Sequence, residues 1–126
     1  MGDLVERYVD VMKQEVELVK TMQEGIGHIQ TQLNEGQFEQ SIVLFQDLMT
    51  AYAALQRSVT PVLAELKEDE VTPQFEKLRQ ALELVVSGYE EKKYERVKEV
   101  IQFTLLPSLQ KMEQSLSEAF APYIVS

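Results

Sequence analysis

Apolar residues along this chain keep a seven-residue beat. From Val5 they recur at Met12, Val19, Ile26 and Leu33, with Tyr8, Met22 and Ile29 in the alternate slots. After Gly36 the beat restarts at Phe38 and continues through Phe45, Tyr52, Val59 and Leu66, with Leu48, Leu55 and Val62 between. Steps of three and four place these side chains on one stripe of a helix, and each stripe needs other helices to cover it. The pattern predicts an all-α protein, an antiparallel up-down-up-down four-helix bundle with short connections.

The breaks in the pattern set the predicted elements: helices over about 3–34, 37–67, 73–91 and 94–121, in one domain spanning 1–126. Asp3 reads as the first N-cap, and Asn34-Glu35-Gly36 ends the helix in a left-handed conformation. Glu68-Asp69-Glu70 is the connector, and Thr72-Pro73 opens the third helix. Gly88 and the charged run from Glu90 to Lys93 mark the last turn, and Pro122 stops the fourth helix. Two readings compete at Pro61: a kink in a helix that runs on to Lys67, or a separate short helix capped by Thr60-Pro61. The apolar register crosses the proline without a shift, which favours the kink. Pro107 predicts a second kink, in the fourth helix. There the stripe Val97, Ile101, Leu105, Leu109, Met112, Leu116, Phe120 and Tyr123 drifts from a strict seven-residue repeat.

The two halves of the chain resemble each other. An offset of 56 maps Val19, Met22, Ile26, Ile29, Leu33 and Phe38 onto Phe75, Leu78, Leu82, Val85, Tyr89 and Tyr94. Past Pro107 the better offset is 57, which pairs Leu48, Leu55, Val59 and Leu63 with Leu105, Met112, Leu116 and Phe120. A duplicated helical hairpin would produce this. So would any two heptad hairpins of similar size, because 56 is a multiple of seven.

The predicted rods differ in length. At 1.5 Å per residue the first two are roughly 45 Å long and the third only roughly 28 Å. At the end holding the N-terminus, three helices would lack a fourth wall. Val5, Tyr8 and Met12 would face that gap from the first helix, Val62 and Leu66 from the second, and Leu116, Phe120 and Tyr123 from the fourth. Leaving such side chains wet forgoes roughly 1.5–3 kcal/mol each, so a cover is expected. The kinked end of the second helix, the tail Tyr123-Ile124-Val125, a second copy or a partner helix would each serve. Val5, Tyr8, Met12, Leu66, Leu116, Phe120 and Tyr123 are thus the candidate partner-binding residues.

Composition narrows the chemistry. The chain has 126 residues, 44% hydrophobic and 26% charged, which is globular rather than disordered. It has no cysteine, so disulfides and thiolate metal sites are excluded and a reducing compartment, the cytoplasm, is expected. The first residues carry no basic segment followed by an apolar run, so no secretory signal is expected. Twenty-one acids against twelve Lys and Arg give a net charge of −9, which argues against nucleic acid and against anionic membranes. The densest basic group, Lys92, Lys93, Arg96 and Lys98, is interleaved with Glu90, Glu91, Glu95 and Glu99. That is a solvated helix face.

No catalytic constellation emerges. There is no Gly-x-Ser-x-Gly and no glycine loop of the phosphate-cradling kind. Gly25-Ile26-Gly27-His28 interrupts a helix, and its two glycines would allow either a close helix approach or a small kink. A di-iron carboxylate site needs two Glu-x-x-His motifs, whereas His28 is the only histidine. Neither a metal, a cofactor nor a small-molecule substrate is indicated. Glu15 is the one acid on the inner stripe of the first helix. It is expected to snorkel to water or pair with a Lys or Arg.

A bundle with one exposed histidine is similar to histidine phosphotransfer domains, which would make His28 a phosphoryl acceptor. Those domains carry Lys or Arg three residues further on, then glycine, where this chain has Thr31 and Gln32. In size and acidity the chain also looks like small export chaperones, such as those holding flagellar subunits. Leu-Asn-Glu-Gly-Gln-Phe-Glu at 33–39, with its following helix, resembles small acidic helical proteins of spore-forming bacteria, a likeness that implies no activity. The leading expectation is a non-enzymatic interaction module, chaperone-like or adaptor-like, that takes an amphipathic helix of a protein partner or forms a homodimer through its apolar end. The alternatives are phosphotransfer through His28 and a structural role with no specific ligand.

Overall fold

The computed structural model describes residues 2–68 and 70–124, with the side chains of residues 2–5 outside that description. The protein is an all-α four-helix bundle. α1 spans Gly2–Asn34, α2 Phe38–Leu66 and α3 Thr72–Glu90. The fourth rod consists of α4 (Tyr94–Val100), a π-helical turn (Ile101–Leu105) and α5 (Leu106–Phe120). α1 starts before Asp3, which therefore lies within its first turn. α2 runs unbroken through Pro61 and ends on Lys67 in a left-handed conformation, φ 55°.

The two hairpin turns are built alike. Gly36 and Lys92, 56 residues apart, both take left-handed backbone, with φ of 75° and 57°. Gln37 N–H donates to the Gln32 carbonyl at 2.8 Å, and Lys93 N–H donates to the Gly88 carbonyl at 2.9 Å. Glu35 N–H to Thr31 is matched by Glu91 N–H to Ser87, both at 3.0 Å. These are the bonds that close a helix end through a left-handed residue. Heptad coincidence constrains stripes of side chains and says nothing about loop geometry, so this repetition favours a duplicated hairpin. The residues that follow the turns, Phe38 and Tyr94, stack on one another with ring centroids 3.9 Å apart and planes 4° from parallel.

The second hairpin departs from the first at one place. In the π turn the Leu106 N–H bonds back to the Ile101 carbonyl, five residues away rather than four. A π turn holds one residue more than an α turn. That extra residue is why the repeat offset changes from 56 to 57. Ile101 still matches Phe45 at the first offset and Leu105 already matches Leu48 at the second, so the insertion falls among Gln102, Phe103 and Thr104. Pro107, which has no N–H to give, then sits in the first turn of α5.

Polar side chains tie the rods in pairs along their length. Ser58 meets Glu15 between α2 and α1, and Gln23 donates to Glu113 between α1 and α5 at 2.6 Å. Gln74 donates to Ser115 between α3 and α5 at 2.6 Å, and the Tyr52 hydroxyl reaches the Phe75 carbonyl at 3.1 Å. At the turn end Tyr89 and Ser41 bond through their hydroxyls at 2.8 Å, while Ser41 donates to the Phe38 carbonyl.

Gly88 is not a turn residue, as the sequence suggested, but a buried position inside α3. A Cβ built there would stand 2.7 Å from Val97 Cγ2, so α3 and α4 need its absence. Gly25 and Gly27 differ. A Cβ on either meets nothing within 4 Å, so neither permits a close helix approach. Gly88→Ala should therefore lower stability by about 1–2 kcal/mol through overpacking. Gly25→Ala and Gly27→Ala should each raise it by about 0.5–1 kcal/mol through helix propensity. Urea midpoints of the three variants check the opposite signs.

α3 is the short rod, with 19 residues against 33 in α1 and 29 in α2. The expected hole beside it is nevertheless largely covered. Met12, Leu116, Phe120 and Val62 are fully buried, and so is Val71 from the connector ahead of α3. Tyr8, Leu66, Tyr123 and Ile124 pack partly buried against the same core. Beyond Phe120 the chain curls, with the Tyr123 and Ile124 N–H groups both donating to the Phe120 carbonyl at 2.9 and 3.0 Å. Met12, Leu116 and Phe120 are therefore core residues and not an open docking surface. One connector side chain and a curled tail suffice to replace the missing turns of helix. Tyr8, Leu66 and Tyr123 keep only part of their surface in contact with water, and the Val5 side chain lies outside the described residues.

Candidate functional site

With Met12, Leu116 and Phe120 buried at that end, the most exposed large apolar side chain lies elsewhere. Among the described residues the exposed large hydrophobic side chains are Val43, Met49, Leu84 and Phe103. Phe103 stands out at 70% exposure. It occupies the π turn, where the inserted residue takes the local chain out of the heptad and leaves an aromatic ring on the outer face. The equivalent stretch of α2 carries Gln46 and Asp47, ordinary polar surface. π turns of this kind recur at functional sites because an insertion in a helix costs stability and is retained where it positions something.

Phe103 borders a groove of about 450 Å³ between α3 and the fourth rod. Glu70, Pro73, Gln74 and Lys77 form one wall, and Thr104, Pro107, Ser108 and Lys111 complete the other with Phe103. Both prolines are rigid and lie in the first turns of their helices, so the walls are preset in shape. The Ser108 hydroxyl is taken by the Thr104 carbonyl at 2.7 Å. The Gln74 amide donates to Ser115, and its carbonyl oxygen is buried with no partner. Lys77 and Lys111 face each other across the groove from α3 and α5, and neither forms an ion pair with a described carboxylate. Nearby, Arg79 of α3 is held by Glu76 and Glu83, Lys98 of α4 by Glu95 and Lys93 ahead of α4 by Glu91, whereas Arg96 of α4 forms no ion pair with a described carboxylate.

Neither of two further grooves carries an exposed aromatic ring. One, of about 480 Å³ between the end of α2 and the start of α3, is what remains of the gap beside the short rod, and it carries Glu68 and Glu76 on its rim. The other, of about 380 Å³, is lined by Gly27, Gln30, Thr31, Asn34, Lys98 and Gln102 and is polar. His28 is exposed on the outer face of α1 and does not line that groove. Among the described residues no three of His, Asp and Glu gather as a metal site, and no helix is long and apolar enough to cross a membrane.

Glu15 corrects another expectation. It neither reaches water nor pairs with a cation, being 2% exposed between α1 and α2. Its Oε2 accepts a 2.5 Å hydrogen bond from the Ser58 hydroxyl, and its Oε1 has no partner. Burial pushes its pKa up to about 7, with the Ser58 bond pulling the other way. Around neutral pH this carboxyl is close to half protonated.

A family model described as "Domain of unknown function (DUF8042)" matches residues 10–115. The chain belongs to that family. No curated protein matches it, and no solved structure does. The matched span contains the π turn and every residue of the Phe103 groove, whereas Val5, Tyr8, Leu116, Phe120 and Tyr123 lie outside it. Sequence reasoning passed over Phe103 because it falls off the core stripe. The signal that pointed there was the change of repeat offset near Pro107.

Proposed function

We propose that this DUF8042 chain is a non-enzymatic interaction module that holds a segment of another protein in the groove between α3 and the π turn. The observation that carries the reading is the solvent-exposed ring of Phe103, set by a one-residue insertion beside a groove with rigid walls. An apolar side chain from a partner, laid between Phe103, Pro73 and Pro107, would take the ring out of water, the kind of aromatic anchor contact that dominates binding energies. A second copy of the chain is the less suited occupant, since two whole chains of net charge −9 repel each other over their full surfaces, whereas a partner segment brings only local charge. The absence of cysteine fits a reducing, cytoplasmic setting.

The test uses peptides selected from a random displayed library on the intact protein. Each is measured against Phe103→Ser, which removes a side chain outside the core and should change stability by no more than about 0.5 kcal/mol. Selected peptides are expected to lose at least about tenfold in affinity, an anchor's worth of binding energy. Peptides that bind wild type and variant equally would place the interaction elsewhere and overturn the reading.

A further inference from the structure

We infer that the groove's occupant is an acidic segment carrying one bulky apolar anchor, presented by a separate protein; this rests on the proposed docking at Phe103 and adds the chemistry of the partner. Lys77 and Lys111 come from opposite walls, one on α3 and one on α5, and line the same groove as Phe103. On a chain with 21 acids and 12 Lys and Arg, a groove whose described lining carries two cations and one carboxylate, Glu70, is a local reversal of the surface charge, and neither lysine is ion-paired with a described carboxylate. Glu70 at the groove's edge offsets one of them, so the site favours an anion without being strongly basic.

The same contrast orders the other classes of occupant. A basic segment would meet Lys77 and Lys111 at close range, although the protein as a whole would attract it. A nucleic acid would find two lysines within a field set by nine excess negative charges. An acidic segment pays that long-range repulsion at encounter and gains two short-range ion pairs beside the anchor, where like-charge alternatives are rejected. Selectivity by charge, with affinity from the apolar anchor, is the behaviour the geometry supports.

Three synthetic peptides test this, each with the same central leucine and differing only in flanking residues that are all glutamate, all glutamine or all lysine. Binding to the intact protein is followed by fluorescence anisotropy at low and high salt. The glutamate peptide should bind about fivefold or more tighter than the glutamine peptide, as expected of two partly exposed ion pairs, and the lysine peptide weakest. Added salt should narrow the difference. In the double variant Lys77→Glu, Lys111→Glu the order should reverse, while Phe103→Ser should weaken all three. Equal binding of the glutamate and glutamine peptides, still lost in Phe103→Ser, would overturn the acidic-partner inference and leave the docking reading standing. Binding of none of the three, or binding indifferent to Phe103, would overturn both. A protein dimer by sedimentation that dissociates in Phe103→Ser would show a second copy in the groove and overturn the separate partner.

Discussion

Glu15→Gln will stabilise the protein above neutral pH and flatten the dependence of its stability on pH. The carboxyl is buried between α1 and α2, with a single hydrogen bond from Ser58 and one oxygen unpartnered. Its folded pKa of about 7 lies above the ordinary 4.5, so the folded state holds this proton more tightly than the unfolded chain does. Stability from that proton is fully present below about pH 4.5 and is lost as pH rises to about 7 and beyond, where the folded protein must bury a charge. A shift of this size corresponds to about 2–3 kcal/mol once some local relaxation is allowed for. Glutamine keeps the shape and cannot ionise. Urea midpoints of wild type and variant should therefore converge in mild acid and separate progressively toward alkaline pH. The other acids affect both proteins alike and cancel in the difference. Parallel profiles across the whole range would show that Glu15 stays charged or hydrated in the folded protein. Ser58→Ala should steepen the wild-type profile, because it removes the one interaction that favours the charged form.

Phe120→Ala will cost about 3–5 kcal/mol, a large share of the stability of a domain this size. The residue is the last of α5, where frayed ends are the rule, yet it is fully buried among the largest core side chains. The curled segment that follows closes over it through Tyr123 and Ile124, whose N–H groups bond to its carbonyl. Truncating the ring leaves a cavity at this end of the core, and a short irregular segment such as the curl after α5 collapses into such a space poorly. Chemical denaturation of Phe120→Ala beside Phe103→Ser makes the contrast direct, since the second variant loses an equally large ring from the surface. A cost below about 1 kcal/mol for Phe120→Ala would mean that the end of the bundle is loosely covered, and would restore it as a docking surface.

These two residues also show how far the sequence could be read. Phe120 lies on the predicted stripe, and its burial follows from that stripe, but the sequence assigned it to an exposed end. Helical rods are the only walls that periodicity reveals, and Val71, Tyr123 and Ile124 are not in helices. A loop side chain's place in the core depends on where the loop runs, which no periodicity reports. Glu15 was correctly singled out as an acid on an inner face. Its partner was misjudged, because a serine on the facing helix can only be matched to it once the two helices have a register. Gly88 was read as turn punctuation from its place before a charged run. Its role is set by Val97, nine residues on across the turn, and the left-handed position is held by Lys92.

By itself the sequence determined that the protein is all-helical, where its rods begin and end to within a residue or two, and that the third is short, and it left the likeness of the two halves open between duplication and heptad coincidence. It also located an irregularity near Pro107. All of these are local, since a helix's stripe, its caps and its breaks depend on residues within a few turns of one another. Only the tertiary structure decided that the short rod leaves a groove and not an open end, that Glu15 is dry, and that the irregularity is a π turn presenting Phe103 in one groove with Lys77 and Lys111. Those facts depend on which side chains from distant parts of the chain arrive at the same place. Periodicity records which way a residue faces along its own helix, and packing between helices determines what it meets there.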